Sequence, residues 1–358
     1  MKNETKQLYN AYVTRIAHLN GVTADDVKEG FTVQAAPEQK LKEKVLQSAQ
    51  FLQWINTPSV TAMKGEMIGL GVAQTIASTT DTNAQDRETK DLLNLDKRTY
   101  NCEQVNFDSH IRWARLDEWA KHPDFQEKVA SQTQKTIALN LIMMGWNGTS
   151  RAATSNPSSN TLLQDVKKGW LQQLREDTGG TKVMNGADTE NKIKVGKGQG
   201  TGNNAGKGYE NLDALVIDAV NNLIHEVYAE DTDLVVICGR EVLHDKYFTM
   251  INQDLKPTDQ LASQVIVSQK QIGGLKAIRV PFFPKNAMLI TRLDNLSIYM
   301  QEGTTRRFIQ NNPKRDRIED YLSQNIDYKI EDYECAALIE NIVLEDAPVK
   351  ATENNSGS

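Results

Sequence analysis

Few side chains in this sequence are suited to nucleophilic, redox or metal chemistry. They are Cys102, Cys238 and Cys335, with His18, His110, His122, His225 and His244. The cysteine count is odd and no pair has Cys-x-x-Cys spacing. That argues against a disulfide framework and against a cysteine-built zinc site. The reading they support is buried thiols in a reducing compartment. The histidines are scattered over separate segments. His225 and His244 flank one apolar run, Leu234–Cys238, but no carboxylate at ligand spacing makes them a metal site. There is no HExxH, no GxSxG and no GxGxxG opening a helix.

One segment approaches phosphate chemistry. TGNNAGKG, from Thr201 to Gly208, contains the Gly-Lys pair of a phosphate-binding loop. Such a loop also needs an earlier glycine and a Ser or Thr after the lysine. Thr201 and Gly208 stand at those positions, and no apolar strand feeds the segment. It reads as a flexible surface loop. Asp81, Asp86, Glu88 and Asp91 form an acidic stretch without calcium-loop spacing, suited to solvating an excursion or to polar pairing between subunits. Arg306, Arg307, Lys314, Arg315 and Arg317 form the clearest basic cluster. Non-specific phosphate contact is one use for it. The adjacent Asp316, Glu319 and Asp320 fit a subunit contact better, because mixed charges set orientation and partner choice. No catalytic, cofactor-binding or metal-ligating residue is assigned, and no cofactor is implied.

The elements that would carry these groups follow from composition and periodicity. A chain of 358 residues suggests about two domains. The net charge of −6 argues against a generic nucleic-acid coat. MKNETKQLYN has no apolar signal region, and no stretch approaches the roughly 18 apolar residues of a membrane span. The expectation is a protein that first folds in a cytoplasm, with a polar, mobile tail at VKATENNSGS.

Tyr9, Tyr12, Val13, Ile16 and Leu19 recur at helical spacing and predict an amphipathic N-terminal helix. GFTVQAAP, Gly30–Pro37, reads as an exposed, small-residue joint, with Pro37 at the first position of the next helix. Leu41, Val45 and Leu52 share one face of that helix, with Phe51 and Trp54 beside it. Val60–Trp113 reads as two extended arms joined by a charged middle. An isolated ribbon of that kind is marginal in water and needs a neighbour to lie on. That neighbour is either another subunit or the ribbon's own domain. Phe125, Val129, Gln132, Thr136, Leu139 and Met143 mark a helix of about 20 residues, disrupted by Gly145 and Gly148. Residues 145–208 hold 12 of the 22 glycines, which marks them as an excursion around one short helix, Leu162–Leu174.

Asn211 is a plausible N-cap for a helix marked by Leu212, Leu215, Val216, Ala219, Leu223 and Val227. Asp233–Cys238 reads as a buried strand. Gly239–Phe248 and Leu261, Val265 and Ile266 suggest two further helices. GGLKAIRVPFFP gives a strand ended by Pro281. Ala287–Thr291 and Leu296–Met300 are strands around an Asp294-Asn295 turn. Ile326, Tyr328 and Ile330 alternate with Asp327, Lys329 and Glu331, so one face packs and the other is wet. Cys335–Ile342 continues as an apolar strand.

Longer stretches carry a further signal. TRIAHLNGV, MKGEMIGLGV, IASTTDT, NFDSHIRWARLDEWA, SSNTLLQDVKKGWLQ, VGKGQG, DLVVICGREVL, DKYF, VIVSQKQIG to VPFFP, MLITRLDNLSIY and NPKRDRIEDY run from near residue 8 to about 342. Together they closely resemble the major capsid protein of temperate contractile-tailed bacteriophages. The resemblance implies an α+β, Hong Kong 97-type viral capsid fold with a long extended loop, a spine helix, a peripheral domain and an axial domain. It implies a processing or scaffold-interacting segment at 1–35, an N-terminal arm at 36–59 and the extended loop at 60–113. The peripheral domain with its spine helix and glycine-rich excursion would take 114–210. A predominantly axial domain would take 211–285, mixed axial and peripheral strands 286–342, and a flexible tail 343–358. The implied protein is structural and not an enzyme. It assembles as hexamers and pentamers into an icosahedral shell enclosing double-stranded DNA. Its implied partners are other copies of itself, an internal scaffold, a maturation protease, the portal and any decoration protein, with non-specific contact to packaged DNA and no membrane. Its implied place is the virion capsid, assembled in the bacterial host cytoplasm. By the same analogy, a removable segment ends in the Glu29–Ala35 neighbourhood. Two readings compete: a nucleotide- or phosphate-binding enzyme using Leu234–Cys238 and the GKGQGTGNNAGKG segment, and a DNA-binding module using the basic cluster.

Overall fold

A computed structural model describes residues 1–67, 77–89, 98–119, 125–186, 191–196, 208–242 and 266–344. In chain order the helices are α1 (Asn3–Asn20), α2 (Ala24–Glu29), α3 (Ala35–Gln47), α4 (Gln50–Trp54), α5 (Trp113–Trp119), α6 (Phe125–Asn147), α7 (Trp170–Glu176), α8 (Leu212–Leu223) and α9 (Glu226–Ala229). The strands are β1 (Phe31–Thr32), β2 (Ser59–Val60), β3 (Lys64–Glu66), β4 (Thr99–Asn101), β5 (Glu103–Asn106), β6 (Ser109–Arg112), β7 (Val183–Met184), β8 (Ile193–Val195), β9 (Gly208–Tyr209), β10 (Leu234–Cys238), β11 (Ile266–Ile272), β12 (Leu275–Arg279), β13 (Met288–Arg292), β14 (Leu296–Gln301), β15 (Arg306–Asn312), β16 (Arg317–Ile330), β17 (Ala336–Ile339) and β18 (Ile342–Leu344). These fall into two compact units. One takes the described residues of 1–173 with 294–332; the other takes those of 174–293 with 333–344.

The first unit is organised by β16, a strand of 14 residues. β15 and β14 pair antiparallel along one of its edges, and β6 and β5 along the other. The arm after residue 101 therefore lies on its own unit. Among the described residues of the two arms, only β3 and β4 form a separate two-stranded ribbon, with Lys64 opposite Asn101. The rest of the expected strand region, 68–76, lies outside the described residues. Trp113 does not extend the strand. It opens α5, and its indole donates to Asn311 Oδ1 at 2.9 Å.

The expected face of α6 is displaced. Ile137, Ala138, Leu141, Ile142, Met144 and Trp146 are buried, while Gln132 and Thr136 are exposed. Gly145 does not break this helix, which runs to Asn147. A Cβ there would come 2.3 Å from the Trp170 ring, so the glycine makes room for Trp170. Trp170 in turn contacts Phe51, Trp146 and Tyr328 at ring separations of 4.8–6.2 Å. The short helix expected at Leu162–Leu174 begins only at Trp170. Pro37 sits inside the first turn of α3, not at its first position. The single helix expected through Leu52 is interrupted at Ala49, whose φ of −137° is extended backbone.

The second unit holds a six-stranded sheet ordered β11-β12-β10-β13-β17-β7. All five residues of β10 are buried, as the unbroken apolar run predicts. Asn211 caps α8 by accepting from Ala214 N at 2.8 Å. Leu215, Val216 and Ala219 on α8 join Val236, Ala277, Ile290 and Ala337 of the sheet in one core. Val227 falls on the separate α9 and is about half exposed. Ile266 opens a strand and not a helix. Gly273 and Gly274, with φ of 58° and 82°, make the two-residue turn from β11 to β12. The apolar run after Cys335 is split by Asn341, at φ 58°, into β17 and β18. The helix expected at Gly239–Phe248 falls mostly outside the described residues, as does the loop Thr201–Gly208.

Candidate assembly surfaces

Among the described residues, the groups that could perform chemistry alone are not brought together. Cys102, Cys238 and Cys335 are buried free thiols. Burial pushes the Cys102 thiol up to about 11. His225 caps the start of α9, and His18 and His110 lie exposed on α1 and β6. His122 and His244 lie outside the described residues. Among the described residues no group of three His, Cys, Asp or Glu is placed to hold a metal. An open groove of about 400 Å³ beside β1 has Asp108, Arg306 and Arg307 in its lining. Burial raises the Asp108 carboxyl above its usual range. The same lining holds no cysteine or histidine to act as nucleophile or base. The interest of the molecule therefore lies in its surfaces and in what fixes them.

The first surface is the root of the β3–β4 ribbon. Met67, Tyr100 and Cys102 are buried there, and the Tyr100 ring stacks on Tyr299 at 5.0 Å and 17°. Beside them lies an ion network that the alternating pattern concealed. Lys167 Nζ donates to Glu103 Oε2 at 2.7 Å and to the Asn101 carbonyl at 2.9 Å, and pairs with Asp327 Oδ1 at 3.0 Å. Asp327 Oδ2 accepts from the Asn101 amide at 2.8 Å and pairs with Lys329 at 3.3 Å. Arg151 adds a bond to the Gln104 carbonyl at 2.8 Å and an ion pair to Glu103 at 3.7 Å. Asp327, expected on a wet face, is thus buried. Burial opposes ionisation of Glu103, but Lys167 outweighs it and holds that carboxyl below its usual range. A lysine in NTLLQDVKKGW gives no periodic signal for such a role; it becomes legible only once the strands are paired.

The second surface is the docking seat of the N terminus. Val13, Ile16, Ala17, Val27, Phe31 and Val33 bury against Ile309, with Tyr9, Tyr12 and Ile318 at the margin. Leu19, expected on the packed face, is more than half exposed. Arg307 donates to Asp320 through two bonds of 3.0 and 2.6 Å and to the Tyr12 hydroxyl at 3.0 Å. Downstream, the buried Glu38 carboxylate accepts from Gly303 N at 2.9 Å, Thr305 N at 3.2 Å and Thr305 Oγ at 2.5 Å.

The third surface is the β15–β16 hairpin end, where the structure divides the expected basic cluster. Arg307 is neutralised by Asp320. Arg317 pairs with Glu319, which also accepts from Gln310, Asn312 and Tyr321. Bonds from Gln310 first, then from Arg317, Tyr321 and Asn312, bring the Glu319 carboxyl down to about 2. Arg306, Lys314 and Arg315 stay exposed and make no ion pair among the described residues. Arg112, in register with Arg317, is exposed beside them. Residues 77–89, with Asp81, Asp86 and Glu88, are exposed throughout except for Thr80.

Among the described residues the molecule presents fixed, exposed surfaces and no assembled reactive centre. The family model described as "Phage major capsid protein, P2 family" matches residues 8–342. The chain belongs to the P2 family of phage major capsid proteins. It is 48% identical over 361 residues to "Capsid proteins" of Escherichia phage P2, covering 98% of this chain and 99% of that one. It is 36% identical over 351 residues to the "Major capsid protein" of Serratia phage KSP20, covering 96% and 98%. Among solved structures it is similar to a chain of the satellite phage P4 procapsid including size determination (Sid) protein. There the TM-score is 0.71 at 46% identity, over 85% of this chain and 99% of that chain. The resemblance to capsid proteins of temperate contractile-tailed phages is thereby established. The mixed helix-and-sheet architecture is that of phage capsid proteins, consistent with the Hong Kong 97-type fold. The family is structural and not enzymatic, and its place is the capsid shell of the virion. This removes the competing reading of a phosphate-binding enzyme.

Proposed function

We propose that copies of this chain assemble as hexamers and pentamers into an icosahedral shell enclosing double-stranded DNA. Assembly proceeds on an internal scaffold in the host cytoplasm, followed by trimming of the N-terminal segment by a maturation protease and by maturation of the shell. The observation that carries this reading is the ribbon: a rigid root at Tyr100, Asn101 and Lys167 leads to a segment, 77–89, that its own chain leaves almost wholly uncovered. A heterologous contact of that kind, repeated around an axis, closes into rings. The relative of the P4 procapsid is 46% identical, and that procapsid includes a size determination protein. This supports a precursor shell and a separate protein partner that sets its size.

Within this reading we assign 1–35 to the removable segment, 36–59 to the arm and 60–113 to the extended loop. The peripheral and axial domains share the remainder to 342. A portal and any decoration protein complete the partner set. The exposed cations Arg112, Lys314 and Arg315 suit either another subunit or packaged DNA, and the nearby Asp316 favours a subunit. Electron microscopy after co-expression with the phage scaffold tests the assignment. Hexamers, pentamers and closed shells are the expected products, and persistent monomers under permissive conditions would overturn it.

A further inference from the structure

The region assigned to trimming is not open in the structure. A protease takes its substrate as extended chain on both sides of the scissile bond, so the segment must first be free of its own partners. Here it is held at several points. Phe31 and Thr32 pair in register with Arg307 and Arg306. The Val33 amide donates to the Thr305 carbonyl at 2.8 Å, and the Gln34 amide to Asn20 Oδ1 at 3.3 Å. The Phe31 and Val33 side chains are buried. Between them, Thr32 and the flanking Glu29, Gly30, Gln34 and Ala35 face solvent. Solvent reaches the segment, but a protease cleft cannot close around it while β15 holds its edge.

What holds β1 lies far from it in sequence. Val13, Ile16 and Ala17 on α1 and Val27 on α2 form the apolar floor with Ile309, and Tyr12 is tied to Arg307. The lower end of α1 is fixed where Thr5 Oγ donates to Asp117 Oδ1 at 2.6 Å. Residues 3–33 therefore dock as one piece. Releasing Phe31 and Val33 means parting them from a floor to which α1 and α2 also contribute.

We infer that α1, α2 and β1 form a latch that keeps the 29–35 region latent, so that cleavage proceeds only from the undocked state. The inference rests on the trimming reading for its biological use, but the latch is a property of the chain itself. The step is hydrolysis of one peptide bond by a protease supplied from outside. One water is consumed, and a new carboxylate and a new amine are left. When docking is fast relative to cutting, the rate follows the undocked population. Any partner that binds residues 1–34 in their undocked form would then speed trimming, without touching the protease.

Digestion of the full-length chain with thermolysin, which cuts before apolar residues, tests the latch. Fragment N termini are read by mass spectrometry. The wild type is expected to be cut before Phe31 and Val33 much more slowly than a free peptide of residues 26–38, which carries the same two sites without the dock. Val13→Ala leaves the sequence around the cut unchanged and is expected to accelerate cutting there several-fold. Phe31→Ala, which removes the larger anchor, is expected to accelerate cutting before Val33 by at least about tenfold. Wild-type cutting before Phe31 and Val33 as fast as in that free peptide would overturn the latch, as would no effect of Val13→Ala. Acceleration spread evenly over the chain would report general unfolding and would also overturn it. If the latch passes but N termini in mature particles remain full length, the trimming reading fails and the latch stands.

Discussion

Lys167 shows how much one side chain can hold. Its ammonium has a side-chain exposure of 6%, and its partner Asp327 one of 5%. Removing one member of a buried pair leaves the other uncompensated, at a cost of about 3–5 kcal/mol. Lys167→Met is therefore expected to destabilise the first unit by that order in denaturant unfolding. Pairing it with Asp327→Asn should recover part of the loss. A single-variant loss below about 1 kcal/mol would mean that the network is decorative. Glu319 makes a different, pH-dependent prediction. Its carboxyl falls from an ordinary 4.5 to about 2 in the fold, so its contribution to stability is complete above about 4.5. That contribution drains away as pH falls toward 2, because protonation then costs less in the unfolded chain. The melting difference between wild type and Glu319→Gln should be largest near neutrality and shrink below pH 4.5. A difference that grows in acid would contradict this account.

At the scale of elements, Gly145 sets two rules in opposition. Alanine is favoured over glycine inside a helix by about 1 kcal/mol. Against the Trp170 ring, however, its Cβ has no room, and overpacking of this kind costs about 1–3 kcal/mol. Gly145→Ala should lower the melting temperature, and a rise would show that Trp170 yields. The same residue marks where sequence reading stops. Local signals worked where one element decides its own state: the Asn211 cap, the five-residue apolar run of β10 and the helix ending near Asn147 were all legible. They failed where a distant element decides. Gly145 looked like a breaker because Trp170 was not yet beside it. Asp327 looked wet because Lys167 comes from a loop 160 positions earlier. The 30–37 joint looked open because its cover, β15, lies some 270 residues further on. Of the candidate surfaces, the exposed acidic and basic stretches could be read as charge. Which cations were already neutralised could not, because that depends on the register of β15 against β16.

For the whole molecule, surfaces that stabilise the monomer should separate from those that stabilise the shell. Deleting residues 81–98 is expected to leave soluble yield nearly unchanged and to reduce particle formation sharply. Equal assembly by the deletion variant would argue against an intersubunit role. Neutralising Arg112, Lys314 and Arg315 together should change monomer stability by less than about 0.5 kcal/mol for each site. The same variant should lower particle yield in a salt-dependent way. Unchanged yield with reduced DNA retention would move this corner from subunit contact to DNA. The long β16 carries one further implication, which is mechanical. At about 3.3 Å per residue its 14 residues run about 46 Å, with other strands bonded along both edges. A pull along that axis strains those bonds side by side, in shear, so they must fail together. A pull across it would part them one at a time, as a zipper opens. A wall under internal pressure is stretched in its own plane, and it resists that stretch best where strands of this kind lie along the line of tension.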